Sequence, residues 1–140
     1  MNSELTLLLI KPDAVERNLI GEILSRIEGE KFKIMDLKMV QLKAEDAKRF
    51  YQVHQDKPFF DDLINFVSTG SVVVALLSKE NAVRDLRKLV GNTDPQKSEQ
   101  GTIRYAYGLD VTRNSVHASD SEESAKFEID FFFNKDFLTA

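Results

Sequence analysis

Two kinds of apolar run alternate along the chain. Leu5-Thr-Leu-Leu-Leu-Ile10 and Val72-Val-Val-Ala-Leu-Leu77 are short and almost wholly apolar, the pattern of strands buried on both faces. Pro12 stops the first of them. Between Phe32 and Leu42, Ile34, Leu37, Met39 and Val40 are interleaved with Lys33, Asp36 and Lys38. This predicts a strand with one wet face, and the slip of alternation at Met35-Asp36 predicts a bulge. Val116-His117 is a short strand at best.

The other runs have helical spacing. Ile20, Ile23, Leu24 and Ile27 stand at i, i+3, i+4 and i+7 and predict a helix ending near Gly29. Ala44, Ala47, Phe50 and Tyr51 predict another. Phe60 to Val67 predicts a short one that ends before Gly70. Ala82, Val83, Leu86, Leu89 and Val90 form a stripe closed by Gly91. The polar stretch from Gly91 to Gly101 holds Pro95 and is long enough to suggest function rather than mere connection. Thr102 to Tyr107 reads as one more turn. Ser121 caps a last helix, with Glu122 and Glu123 in its first turn and Ala125, Ile129 and Phe132 as its inner stripe.

The order is strand, helix, strand, helices, strand, helix, short strand, helix. With the two fully apolar strands placed centrally, it predicts an α+β, ferredoxin-like βαββαβ fold. Its four-stranded antiparallel sheet has order 4-1-3-2 and is covered by helices. At 140 residues the chain reads as one domain, 1–140. No apolar run approaches the ~20 residues of a membrane span. The first residues lack a basic segment, so no signal peptide is expected. There are no cysteines, which removes disulfides and thiolate chemistry and fits a cytoplasmic protein. A net charge of −4 makes nucleic acid a poor general partner.

Neither G-x-x-x-x-G-K-[ST] nor G-x-G-x-x-G occurs, and no metal-ligand spacing is evident, so no protein-held metal is expected. The candidate chemistry centres on Asn114 to Ser121, which contains His117, one of two histidines. A histidine between a short extended segment and a polar turn can have its ring fixed by neighbours and one nitrogen free to act as nucleophile. Taken alone, it reads first as a loop histidine on the surface; the rest of the chain is what shifts the reading. Glu128 is either an exposed carboxylate or an acceptor that orients the ring, with Ser119 as the bridge. Lys11, Arg87 and Arg104 stand at element ends, where they could meet phosphate. Lys88 reads as a solvated charge, and so does His54 as a polar-stretch surface residue. One of Phe59 and Phe60 is expected in the core.

Lys11-Pro-Asp-Ala-Val15, Gly101-Thr-Ile-Arg104 and Arg113-Asn-Ser-Val-His-Ala-Ser-Asp-Ser121 together resemble nucleoside diphosphate kinase, from about Thr6 to Phe133. The resemblance implies the ferredoxin-like fold and transfer of the γ-phosphate of a nucleoside triphosphate to a nucleoside diphosphate. The transfer is ping-pong, through a phosphohistidine. The resemblance implies that Mg²⁺ arrives on the nucleotide and that the chain forms a homo-oligomer, a dimer-based tetramer or hexamer. Carried over by residue, it makes His117 the nucleophile and Glu128 with Ser119 the pair holding its ring. Tyr51 packs beside the ring. Lys11 and Asn114 meet the ribose hydroxyls, with Lys11 also near the transferred phosphate. Arg87, Thr93 and Arg104 are phosphate ligands. Phe59 stacks on the base, with Leu63 and Val111 lining the same slot. The chain departs from the family pattern at Ala118 (usually Gly), Gln100 (usually Pro), Ser71 (usually Pro) and Tyr105-Ala106 (usually a small residue, then Asp). The alternatives are a catalytically silent nucleotide-binding module of the same fold and an RNA-binding module. The second lacks the aromatic strand pattern and the charge.

Overall fold

The computed structural model describes residues 3–133. The single-domain expectation over 1–140 extends past these limits, and residues 1–2 and 134–140 lie outside the described residues.

Strand β1 (Ser3–Ile10) pairs antiparallel with β3 (Ser71–Glu80), from Ser3 opposite Glu80 to Ile10 opposite Val73. β2 (Lys33–Gln41) pairs with the other side of β3, and β4 (Val116–Ala118) with the other side of β1. The order β2-β3-β1-β4 is the expected 4-1-3-2 read from its other end. The bulge is present as a register shift between Ile34 and Asp36. It moves Asp36 off the face of Ile34, which then shares its side of the sheet with Leu37 and Met39.

Both faces of the sheet are covered, which is why the middles of the central strands are apolar at nearly every position, Thr6 excepted. On one face α1 (Pro12–Glu16), α2 (Ile20–Gly29), α5 (Ala82–Val90) and α6 (Ile103–Tyr107) pack Ala14, Ile23, Ile27, Leu86, Val90 and Ile103 onto Leu8, Ile10, Val73, Ala75 and Leu77. On the other, α3 (Ala44–Phe50), α4 (Phe60–Val67) and α7 (Glu122–Phe133) pack Ala47, Phe50, Ile64, Val67, Phe131 and Phe132 onto Leu7, Leu9, Val72 and Val74.

Three local features differ from expectation. Pro12 not only ends β1 but opens α1 at its first position, where a missing N–H costs nothing. Gln52–His54 and Pro95–Lys97 form 3-10 turns. The inner side of α7 is Ala125, Glu128, Phe131 and Phe132, with Ile129 only half buried. That rotation brings a carboxylate inside, and the cost of burying it is offset because it finds two hydrogen-bond partners. Ser121 does cap this helix, its Oγ accepting from Ser124 N at 3.0 Å.

The register fixes the orientation of the site. His117 lies opposite Leu9 in β1, so its ring enters the face occupied by α3 and α7. Val116 and Ala118, one residue either side, point into the opposite core.

Candidate active site

The chain reaches His117 through a strained turn. Val116 N donates to Asn114 O at 3.0 Å, an i to i+2 bond that makes a γ-turn centred on Ser115. Ser115 has φ of 76°, outside the region that side chains prefer. Such a residue persists only where its surroundings over-determine it. Here every polar group of Ser115 is engaged. Its N–H donates to Asp13 Oδ2 at 3.0 Å, its hydroxyl to Tyr107 O at 2.9 Å, and its carbonyl accepts from Lys11 N at 2.9 Å. Asp13 is buried, and that burial raises its carboxyl pKa. The KPD segment at the end of β1 thus braces the turn that leads into β4.

The imidazole is held from behind. Its Nε2 lies 2.9 Å from Glu128 Oε1, and Ser119 Oγ donates to that same oxygen at 2.7 Å. Ser119 is therefore not interposed between the two, as the sequence reading had it. It supports the carboxylate while Glu128 touches the ring directly. The rings of Phe50 and Tyr51 meet His117 edge-on, with centroids 5.3 and 5.6 Å away. Among the described residues Nδ1 makes no hydrogen bond, so the ring is fixed at Nε2 with Nδ1 free.

In front of His117 lies a cleft of about 240 Å³. Lys11, Tyr51, Phe59, Leu63, Arg87, Thr93, Arg104, Val111 and Asn114 all line it with His117. These came from loops and termini far apart in sequence. Its inner end is cationic. Arg104 is buried, with its two terminal nitrogens donating to Gly91 O at 3.0 Å and Val116 O at 2.8 Å. Its Nε is buried with no partner among the described residues. Burial, then the charge of Arg87, brings its pKa down to about 10. Arg87 donates weakly to Ala118 O at 3.4 Å. Lys11 Nζ donates to Asn114 Oδ1 at 2.9 Å and to Thr112 O at 3.3 Å. Burial, then Arg104, brings the Lys11 pKa down to about 7. Asn114 Nδ2 in turn donates to Thr93 O at 2.9 Å and Val111 O at 3.1 Å. The Tyr51 hydroxyl is buried without a partner among the described residues, and burial, then the charge of Glu128, holds it protonated as a donor.

The outer end is an apolar slot between Phe59, which is 43% exposed, Leu63 and Val111. Phe60, not Phe59, is the member of the pair that packs on the core. Unsatisfied donors and crowded cations at one end, with a stacking aromatic at the other, suit a ligand with phosphates and a flat ring.

His54, Thr112 and Asp120 also line the cleft and were missed. His54 was read as a surface residue. It sits on the 3-10 turn three residues after Tyr51, where i and i+3 share a side. Its ring lies 5.9 Å from that of Phe59. Burial, then the nearby His117, lowers its pKa. The Asp120 carboxyl is lowered by its hydrogen bond with Ser124 and by Arg87 and His117. Lys88 lines a different, wider hollow of about 570 Å³ between α2 and α5. That hollow has mixed charge and no histidine, so its size does not make it the site. No group of three His, Cys, Asp or Glu is placed to hold a metal among the described residues.

Residues 4–138 match the family model described as nucleoside diphosphate kinase. A nucleoside diphosphate kinase of Histophilus somni (strain 129Pt) is 51% identical over 133 residues, 95% of this chain and 94% of that protein. Nucleoside diphosphate kinase 1 of Protochlamydia amoebophila is 49% identical and covers 99% of both chains. Among solved structures, the Aquifex aeolicus nucleoside diphosphate kinase superimposes with a TM-score of 0.93 at 42% identity, covering 99% of this chain and 100% of that one. A halophilic one from Halobacterium salinarum, in complex with CDP, gives 0.91 at 39% identity, covering 99% and 93%.

Proposed function

The chain belongs to the nucleoside diphosphate kinase family, and on that footing we propose that His117 Nδ1 is the atom that carries the phosphate. The activity is phosphotransfer between nucleotides, from a nucleoside triphosphate to a nucleoside diphosphate. The observation that carries the assignment is the engagement of Nε2 by Glu128, which leaves Nδ1 as the free nitrogen at the cleft.

In the proposed sequence, Nδ1 attacks the γ-phosphorus. The N–P bond forms, the bond to the bridging oxygen breaks, and the diphosphate leaves. The ring proton stays on Nε2, where Glu128 balances the positive charge that the phosphorylated ring acquires. A terminal phosphate oxygen of the second nucleotide then attacks phosphorus and the N–P bond breaks, restoring the imidazole. Phosphoryl transfer asks the protein mainly for position and for positive charge around the equatorial oxygens. Arg104, Arg87 and Lys11 supply that charge, and Thr93 and the Tyr51 hydroxyl supply further donors. Asn114 and Lys11 face the ribose, and Phe59 stacks the base through a π-face that every base has. The CDP complex of the halophilic relative supports a nucleotide in this cleft. Mg²⁺ enters as part of the nucleotide substrate, since it prefers phosphate oxygens and water. The cations lining the inner cleft are suited to phosphate rather than to a metal.

The same proposal takes residues 1–140 as one domain acting in the cytoplasm, where its nucleotide substrates are. It takes the chain as a homo-oligomer built from dimers across β2. That strand is a sheet edge with Met35, Leu37 and Met39 exposed, and an unpaired apolar edge is a surface that proteins cover.

The deciding experiment is incubation with γ-labelled ATP, followed by denaturation. Acid-labile, base-stable label is expected on the protein and none on His117→Ala. Label retained by that variant, purified free of host enzyme, sinks the assignment.

A further inference from the structure

Val111 and Asn114 belong to a loop, residues 108–114, that closes on itself. Leu109 N and Asp110 N donate to Arg113 O at 2.7 and 3.2 Å. One carboxylate fills the loop. Asp110 Oδ1 accepts from Thr112 N at 3.0 Å and Arg113 N at 2.7 Å. Oδ2 accepts from Arg113 Nε at 3.0 Å and a terminal guanidinium nitrogen at 2.6 Å. This is a side chain standing in for a backbone turn. Two carbonyls of the same loop are then turned inward, Thr112 O to Lys11 Nζ and Val111 O to Asn114 Nδ2. The Val111 side chain is 54% exposed, so packing does little to place it. The turn does.

We propose that Asp110 is the positioning residue for the base end of the cleft. Its carboxylate holds the loop so that Val111 faces the base while two loop carbonyls hold Lys11 and Asn114. The inference rests on the reading of the cleft as a nucleotide site and deepens it. A loop without this carboxylate has to be ordered at each binding event, and that cost appears as lost affinity. Val111 meets the base and not the transferred phosphate, and Lys11 keeps its shorter bond to Asn114 Oδ1 when Thr112 O is displaced, so the loss falls on ground-state and transition-state binding alike.

The ordinary reading of an exposed Asp–Arg pair is a surface ion pair worth little. Steady-state kinetics with varied nucleoside diphosphate separates the two. For Asp110→Ala, KM is expected to rise roughly tenfold, the size of a lost preorganisation, with kcat within about twofold. Asp110→Asn keeps an oxygen for the two backbone N–H groups and should recover most of the affinity. Arg113→Ala removes the ion pair but leaves the turn, and should stay near the parent. Equal damage from Asp110→Asn and Asp110→Ala, or from Arg113→Ala, would make charge pairing the agent and overturn the proposal. So would an unchanged KM in Asp110→Ala, or a kcat that falls in step with the rise in KM. Phe59→Ala is the control on the site itself. If it raises KM and Asp110→Ala does not, only the role of Asp110 fails. If neither does, the slot is misassigned and the positioning role falls with it.

Discussion

His117 and Glu128 meet through Nε2 and Oε1 at 2.9 Å. A carboxylate there accepts the ring N–H and so selects the tautomer whose lone pair is on Nδ1. Second partners of this kind typically change function by roughly 10–100-fold when removed. Glu128→Ala should lower kcat by about that factor while nucleotide still binds. Ser119→Ala should cost less, because Ser119 touches the carboxylate and not the ring. Measured turnover that falls more in the serine variant would reverse these roles.

Arg104 and Arg87 line the cleft beside His117, where the proposed transfer places its growing charge, and Lys88 does not line that cleft. Removing one donor to developing charge costs ~10²–10³ in turnover. Arg104→Ala and Arg87→Ala should each lose kcat on that scale, whereas Lys88→Ala should change little. Similar small effects at all three positions would mean that the cleft does not hold the transferred phosphate.

Much of this was legible because the signals were local. Leu7 to Ile10 and Val72 to Val74 are apolar at successive positions, the pattern of strands covered on both sides, and against the half-polar β2 that pattern placed β1 and β3 in the middle. Lys11–Val15, Gly101–Arg104 and Arg113–Ser121 together carried the resemblance, each a short contiguous segment legible without the fold. What stayed hidden were contacts that span the chain. Asp13 reaches Ser115 across 102 positions, and nothing in a serine announces a positive φ. Glu128 stayed ambiguous because Ile129 beside it competes for the inward position on α7. Spacing also gave no means of saying whether Ser119 or Glu128 touches the ring. His54 was missed because a short 3-10 turn leaves no periodic trace.

The Lys11 pKa sets a pH dependence. In the free enzyme the ammonium is present below about 7 and lost above it, and kcat/KM reports the free enzyme. It should therefore fall as pH rises through about 7. Bound phosphates favour the charged form, so the corresponding limb of kcat should lie at higher pH. The stability effect has the opposite direction. Between about 7 and the unfolded value of 10.5, the unfolded chain holds a proton that the folded one does not. The cost of burying the ammonium is therefore fully present below 7, and stability from this group rises with pH across that window. Lys11→Arg keeps its charge and should lose the kcat/KM limb. A limb near 7 that survives in that variant belongs to another group.

The β2 edge gives a prediction about assembly. Leu37 and Met39 share one exposed side of an outermost strand. Pairing identical edges about a two-fold axis covers both the apolar side chains and the unpaired backbone groups. Sedimentation at micromolar concentration should show no monomer, and Met39→Glu should shift the distribution toward smaller species. A strictly monomeric parent would refute the edge as an interface.

Ala118 stands where the family usually has glycine, directly after His117. Glycine is needed where φ is positive or where a methyl has no room. Ala118 meets neither condition. It lies in β4 opposite Leu8 and is not among the residues with positive φ. Its side chain is 4% exposed within the core on the α2 and α5 side of the sheet, while the His117 ring is on the other side. The methyl therefore packs on the core side of the strand, and residue 118 borders the cleft where its carbonyl accepts from Arg87. Replacing it with glycine removes a buried methyl and loosens a strand residue, for a loss of about 1 kcal/mol. In a chain of this size that corresponds to a melting temperature lower by roughly 3 °C. Turnover should be unchanged, since Nε2 remains held by Glu128 and the carbonyl that meets Arg87 is backbone. Calorimetry and steady-state rates on Ala118→Gly measure both quantities. A variant that is both faster and more stable would mean that the methyl strains the strand and tilts the ring, contrary to its place in β4.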